Sequence, residues 1–216
     1  MTEKTILCYG DSNTWGYIPQ TGERYDGNIR WTRRLADALG NGYYVVEEGL
    51  NGRTTAFDDP IEPHRNGHRS LEGCLLSHKP IDLFIVMLGT NDTKHFLRLT
   101  PLRIAKGIDA IVKGAGSGEY GRGGEPPKIL VISPIHIEPS GFNDHIRQYF
   151  DDESAAKSRA LAYEYELVAQ QYGCSYMDAS KHAKASLRDG IHMEPEDHLS
   201  LSEAVADRVR KLLGSG

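Results

Sequence analysis

Short apolar runs alternate with stretches of helical periodicity along the chain. Thr5–Tyr9 reads as a first strand and Tyr43–Glu47 as a second. Between them, Arg30–Leu39 gathers Trp31, Leu35, Ala38 and Leu39 on one face and stops at Gly40, which predicts a helix. Arg69–His78 predicts another, ending before Pro80. The run through Asp82–Leu88 has the unbroken apolar character of a parallel strand covered on both faces. Thr100 followed by Pro101, a residue suited to a first helical position, predicts a helix to Lys113. Lys128–Ile132 reads as a fourth strand, Glu153–Tyr172 as a long helix stopped at Gly173, and Ser175–Met177 as a short fifth strand. Ser200 with Glu203 reads as a capping box opening a last helix through Leu212.

Strand–helix alternation of this kind argues for an α/β fold, an open parallel sheet with helices on both faces. In such sheets ligands bind beyond the carboxyl ends of the strands, so the residues that follow each strand are the ones to read for chemistry. No internal repeat or linker interrupts the pattern. The chain of 216 residues falls short of the roughly 250–300 at which single cores stop growing, so one domain over 1–216 is expected. Two segments lack periodicity. Gly114–Pro127 carries six glycines and two prolines and predicts a mobile surface loop. Pro134–Phe150 is long for a loop in a compact domain, and such loops usually form a pocket wall or a subunit contact.

Composition narrows the function classes. A net charge of −5 gives no electrostatic case for nucleic acid or an anionic membrane as partner. The longest apolar run, Leu83–Leu88, is far too short to cross a bilayer, and Met1–Lys4 lacks the apolar stretch of a signal peptide. The three cysteines, Cys8, Cys74 and Cys174, are scattered without metal-ligand spacing, which suits free thiols and a cytoplasmic location.

Three segments then carry the chemistry. Tyr9-Gly10-Asp11-Ser12-Asn13-Thr14 sets a serine on a turn just past the first strand. A serine hydroxyl needs a base to take its proton during attack, and Asp189-Gly190-Ile191-His192 offers one in His192. Asp189, three residues earlier, is placed to accept from the other ring nitrogen and stabilise the imidazolium. Attack on a carbonyl creates an oxyanion; the backbone N–H groups of Ser12 and Gly52 and the side-chain amide of Asn91 are candidate donors. Asn91 lies in Gly89-Thr90-Asn91-Asp92, the polar turn that ends the most apolar strand, where Asp92 reads as a turn-holding residue.

Gly10-Asp11-Ser12, Gly52, Gly89-Thr90-Asn91-Asp92 and Asp189-Gly190-Ile191-His192 resemble, in order, the four marker blocks of the SGNH, or GDSL-type, hydrolases. The chain is similar in particular to the bacterial arylesterase/acyltransferase branch, also described as perhydrolases. The resemblance spans nearly the whole chain and implies a three-layer α/β/α fold with a five-stranded parallel sheet in flavodoxin-like order. It carries nucleophile, base and acid onto Ser12, His192 and Asp189, and the oxyanion donors onto Ser12, Gly52 and Asn91. It implies a small-molecule ester substrate, no cofactor, no metal, and a homo-oligomer. Transfer of the acyl group to an alcohol or peroxide, deacetylation of carbohydrates, and a non-catalytic binding protein on the same scaffold are the alternatives. Asn13 departs from the leucine of the GDSL block and predicts a more polar wall beside the nucleophile.

Other residues carry weaker expectations. Trp15, Asp11 and Lys94 are candidate substrate contacts, with packing as the alternative for Trp15 and a turn role for Asp11. Arg53 and His95 read, like Lys94, as rim residues. His198 competes with His192 for the role of base, but its place at a helix start favours a structural one. The glycine pattern Gly116–Gly121 follows a helix and precedes a strand, the wrong context for a phosphate cradle. His64 and His68 are spaced like helical zinc ligands, yet Pro63 and Gly67 argue against a helix there. The Gly-x-Ser-x-Gly elbow of the α/β-hydrolases is absent from the sequence.

Overall fold

The computed structural model describes residues 3–214, so Met1 and Thr2, which entered the signal-peptide argument, lie outside the described residues. Five parallel strands, β1 (Lys4–Gly10), β2 (Tyr43–Gly49), β3 (Leu83–Met87), β4 (Lys128–Ser133) and β5 (Ser175–Asp178), lie in the order β2-β1-β3-β4-β5. In register, Cys8 stands beside Glu47 of β2 on one side and Ile85 of β3 on the other.

Successive side chains of a strand point to opposite faces, and here both faces are apolar because both are covered. Ile6 and Cys8, Leu83 and Ile85, and Leu130 and Ile132 join a core with Trp31, Leu35, Leu201 and Val205. Those last residues belong to α2 (Trp31–Leu39) and α6 (Pro195–Leu213). The alternate positions Leu7, Tyr9, Phe84, Val86 and Val131 meet Leu71, Leu75, Ile108, Leu161 and Tyr165 on the other side. These come from α3 (Gly67–His78), α4 (Pro101–Gly116) and α5 (Asp152–Tyr172). A one-turn helix, α1 (Ser12–Trp15), follows β1 directly.

The expected elements are all present, and two boundaries differ by more than two residues. The last helix begins at Pro195, five residues before Ser200. Pro195 occupies an early position, Glu196 and Asp197 place negative charge in the first turn, and Ser200 lies inside the helix, its hydroxyl donating to the Glu196 carbonyl at 3.1 Å. The glycine-rich segment is shorter than expected, because α4 continues through Gly116 to seat Ala115 in the core. The remaining turn is fastened rather than loose: Ile81 N–H donates to the Tyr120 carbonyl, and Arg122 pairs with Asp82 at 2.9 Å.

The chain passes from β1 to β2 on one side and then crosses back to β3 on the other, so the order in which strands are added reverses between β1 and β3. Crevices form at such switch points, at the carboxyl ends of the strands. The segments after β1, β2 and β3 all end there.

Candidate active site

Asp11 caps α1 by accepting from the Asn13 N–H at 3.0 Å, which turns the chain sharply after β1 and presents Ser12 in the first turn. The Ser12 hydroxyl lies 3.0 Å from His192 Nε2, and His192 Nδ1 lies 2.8 Å from Asp189 Oδ2. All three side chains are buried. Two residues 180 apart in sequence thus lie within hydrogen-bond distance at the rim of the sheet.

Asp189 also builds the turn that carries His192. Its Oδ1 accepts from the backbone N–H of Ile191 and of His192, each at 3.0 Å. Gly190, at φ +74, completes that turn; a β-carbon there would lie 2.2 Å from the Glu138 carbonyl, so no other residue fits. Burial opposes the Asp189 carboxylate, but the hydrogen bond and charge of His192 together with these amides hold its pKa below the ordinary value.

Gly52, at φ +76, and Asn91 stand on the turns after β2 and β3, and both line the same cavity as Ser12 and His192. Asn91 Nδ2 donates to the Arg53 carbonyl at 3.2 Å. Asp92 accepts from the Thr55 N–H at 2.9 Å and from its hydroxyl at 2.6 Å, joining the second turn to the third. Arg53 joins the second to the first, donating to the Gly10 carbonyl at 2.9 Å with its guanidinium 4.0 Å above the Tyr9 ring. The four sequence blocks are therefore one hydrogen-bonded body. Burial pushes the Asp92 carboxyl up to about 7 and that of Asp11 up to about 6.

Several weaker expectations are corrected. Arg53 is not a rim residue; it is buried beneath the turns it ties together. Trp15 stands outside the cavity, with the Arg24 guanidinium 5.3 Å from its ring. Asp11 is likewise absent from the walls and spends its carboxylate on the α1 cap. Lys94 does reach the cavity, though its buried ammonium is already paired with the buried Asp59 and the half-exposed Glu62, each at 2.7 Å. Asn13 does not form a polar wall; its side chain turns beneath the site. His198 is wholly buried against Tyr25, its Nδ1 accepts from the Trp31 N–H, and burial with nearby cationic groups pushes its pKa down to about 3.

Sequence reasoning missed other neighbours. Tyr17 stacks on the His192 ring with centroids 4.1 Å apart, and the Gln20 N–H donates to Asp189 Oδ2 at 3.3 Å. No pattern in the sequence marks either residue; both depend on where the chain goes after α1. The aperiodic segment Pro134–Phe150 contributes Asn143, His145, Ile146, Tyr149 and Phe150 to the wall. It is anchored by a satellite core of Ile137, Phe142, Ile146, Phe150, Ala155 and Ile191.

The cavity over Ser12 has a volume of about 590 Å³, enough for a small ester. A hollow of about 560 Å³ between Val112, Pro127, Ile129 and Cys174 lacks any paired nucleophile and base. Glu48, Cys74 and His78 bring three donor atoms within 4.8 Å of one another, because α3 places Cys74 one turn from His78, a pairing not visible when cysteines are compared only with each other. They stand apart from the cavity; Glu48 and His78 already pair at 2.8 Å, and burial with the Glu48 charge pushes the Cys74 thiol up to about 12.

The model of the GDSL-like lipase/acylhydrolase family matches residues 8–202. No curated protein matches the chain. Among solved structures, Est24, a carbohydrate acetylesterase from Sinorhizobium meliloti, is 37% identical, with a TM-score of 0.92 over 97% of this chain and 100% of that one. The native aryl esterase of M. smegmatis is 40% identical, with a TM-score of 0.91 over 97% of this chain and 99% of that one.

Proposed function

The chain belongs to the GDSL-like lipase/acylhydrolase family and is a serine esterase, and from that membership we propose that Ser12, His192 and Asp189 carry the hydrolysis of small carboxylic esters. The observation that supports this most directly is the unbroken contact chain at 3.0 and 2.8 Å from Ser12 through His192 to Asp189, opening on the cavity.

Ser12 Oγ attacks the ester carbonyl while His192 Nε2 takes its proton. Asp189 keeps Nδ1 protonated and the ring aligned. The tetrahedral oxyanion is met by the N–H groups of Ser12 and Gly52 and by the Asn91 amide, whose orientation is set by its bond to the Arg53 carbonyl. His192 then protonates the leaving alcohol, and water attacks the acyl-enzyme by the reverse route. Ser12→Ala is expected to abolish turnover of p-nitrophenyl acetate and labelling by a fluorophosphonate, with the melting temperature kept. A variant that still turns over at the wild-type rate would end the assignment.

The leaving alcohol is open to two chemistries, as the named neighbours suggest. Asn51, Glu62, Asn143 and Asp144 on the wall supply hydrogen-bonding groups for a sugar, while Tyr17 and Tyr149 supply faces for an aryl group. Comparing an acetylated sugar with an aryl acetate separates them. A second reading is acyl transfer: Ile146, Phe150 and Ile191 give the cavity an apolar side that favours an organic acceptor over water. Product partition in the presence of ethanol or peroxide measures it. Self-association of this single domain is also proposed, since Tyr163 and Leu167 stand exposed one turn apart on α5; light scattering reads the mass.

A further inference from the structure

Asn13 occupies the position where the GDSL block has a leucine, and its side chain makes two bonds that a leucine cannot make. Nδ2 donates to the Ile191 carbonyl at 3.1 Å, and Oδ1 accepts from the Met193 N–H at 3.1 Å. The two groups it holds are the immediate neighbours of His192. Asn13 itself is buried, is fixed at its own N–H by the Asp11 carboxylate at 3.0 Å, and sits next to Ser12 on α1.

We propose that Asn13 is a positioning residue that locks the His192-bearing loop onto the turn that bears Ser12. The inference rests on the assignment of Ser12 and His192 given above. The geometry separates two tasks. Asp189 orients the imidazole, but its bonds to His192 and Ile191 lie within one loop, which could shift as a body without losing them. Ser186 N–H donates to the His192 carbonyl at 2.8 Å, another bond internal to that loop. Gln20 N–H reaches Asp189 at 3.3 Å, Glu138 N–H donates to the Gly190 carbonyl at 2.9 Å, and Tyr17 stacks on the His192 ring, but none of these three residues belongs to α1. The Asn13 clamp joins the backbone on both sides of His192 to the helix of the nucleophile. It sets the one distance that the loop's internal bonds leave free, the 3.0 Å between Nε2 and Oγ.

The energetics favour such a clamp. Met193 and Ile191 are buried, so the N–H and carbonyl that Asn13 satisfies have no ready access to water. A leucine there leaves both groups unpaired, and the loop has to re-seat to satisfy them. A misplacement of about 1 Å between reacting groups costs on the order of 100-fold in rate.

The experiment compares the wild type with Asn13→Leu, measuring kcat and KM for p-nitrophenyl acetate, the rate of fluorophosphonate labelling, the melting temperature, and the downfield proton resonance of the His192–Asp189 bond. The expected result is a kcat lower by about 10- to 100-fold, a KM within about twofold, and labelling slowed in parallel, while the downfield resonance persists because Asp189 and His192 move together. A kcat within about twofold of wild type, or a loss carried by KM instead, overturns the proposal. So does disappearance of the downfield resonance, which would mean that Asn13 acts on the orientation of His192 rather than its distance from Ser12. Should the leucine variant fail to fold, Asn13→Ser, too short to span both groups but with room for water, carries the same comparison; collapse of both variants also overturns the proposal, since Asn13 would then hold the fold and not the site. Absence of Ser12 labelling in the wild type would instead count against the assignment of the nucleophile, a different failure.

Discussion

The Asp189 carboxylate uses both oxygens, one to shape its own turn and one to orient the imidazole three residues on. Asp189→Asn keeps an acceptor for the turn but can set an amide N–H against Nδ1, which favours the wrong tautomer. The expected outcome is a kcat lower by about 10⁴-fold with the melting temperature little changed, since the turn survives. Wild-type kcat in that variant would remove Asp189 from the mechanism. At this scale the sequence was legible where a short motif contains its own geometry. Asp189 and His192 are three apart and can be read as a pair from spacing alone. Asn13, Tyr17 and Gln20 were not, because their partners are 169 to 180 positions distant and nothing local encodes the meeting. Arg53 and Lys94 look like rim residues in the sequence because charged side chains are ordinarily exposed. Both are buried with partners: Lys94 with two carboxylates, Arg53 with carbonyls and an aromatic face.

Among the elements, periodicity predicted every strand and major helix because each strand feeds a two-sided core and each helix an apolar stripe. The errors arose where local signals competed. Ser200 and Glu203 imitate a capping box, yet Glu194-Pro195 is the true start, and Asp197 of that first turn accepts from the Lys184 N–H at 3.0 Å. Two glycines suggested that α4 stopped at Lys113, yet burial of Ala115 carries it another turn, an instance of packing overriding propensity. The Pro134–Phe150 segment has no period at all; its satellite core could not be read because Ile191 and Ala155 complete it from elsewhere in the chain. That core gives the segment a testable role. Ile146 lines the cavity and belongs to the anchor at once, so Ile146→Ala both widens the wall and loosens the loop. The ratio of kcat/KM for p-nitrophenyl hexanoate over acetate is expected to rise several-fold. An unchanged ratio would mean that the wall at Ile146 does not limit the acyl chain.

Across the whole molecule, buried acids push stability in opposite directions with pH. Asp189, Asp59 and Glu47 are held below their ordinary pKa, each because hydrogen bonds and cationic partners outweigh burial, so what they contribute is present above the unfolded pKa and lost as pH falls. Asp92 and Asp11 behave inversely. Burial raises them to about 7 and about 6, above the 3.8 of a free aspartate, so between these values the folded state retains protons that the unfolded chain releases. Their contribution is full below 3.8 and is lost as pH rises toward 7. Asp92 is the sharper case, being wholly buried and facing Asp11 across the tied turns. Asp92→Asn removes this titration while keeping an acceptor for Thr55 and a similar shape. The variant's melting temperature relative to wild type is therefore expected to rise between about pH 4.5 and about pH 8, by an amount on the order of a few kcal/mol in stability. Parallel curves for the two proteins would show that Asp92 stays ionised when folded. The turns after β2 and β3 would then be joined by a buried charge rather than by a carboxyl that can hold its proton near neutrality.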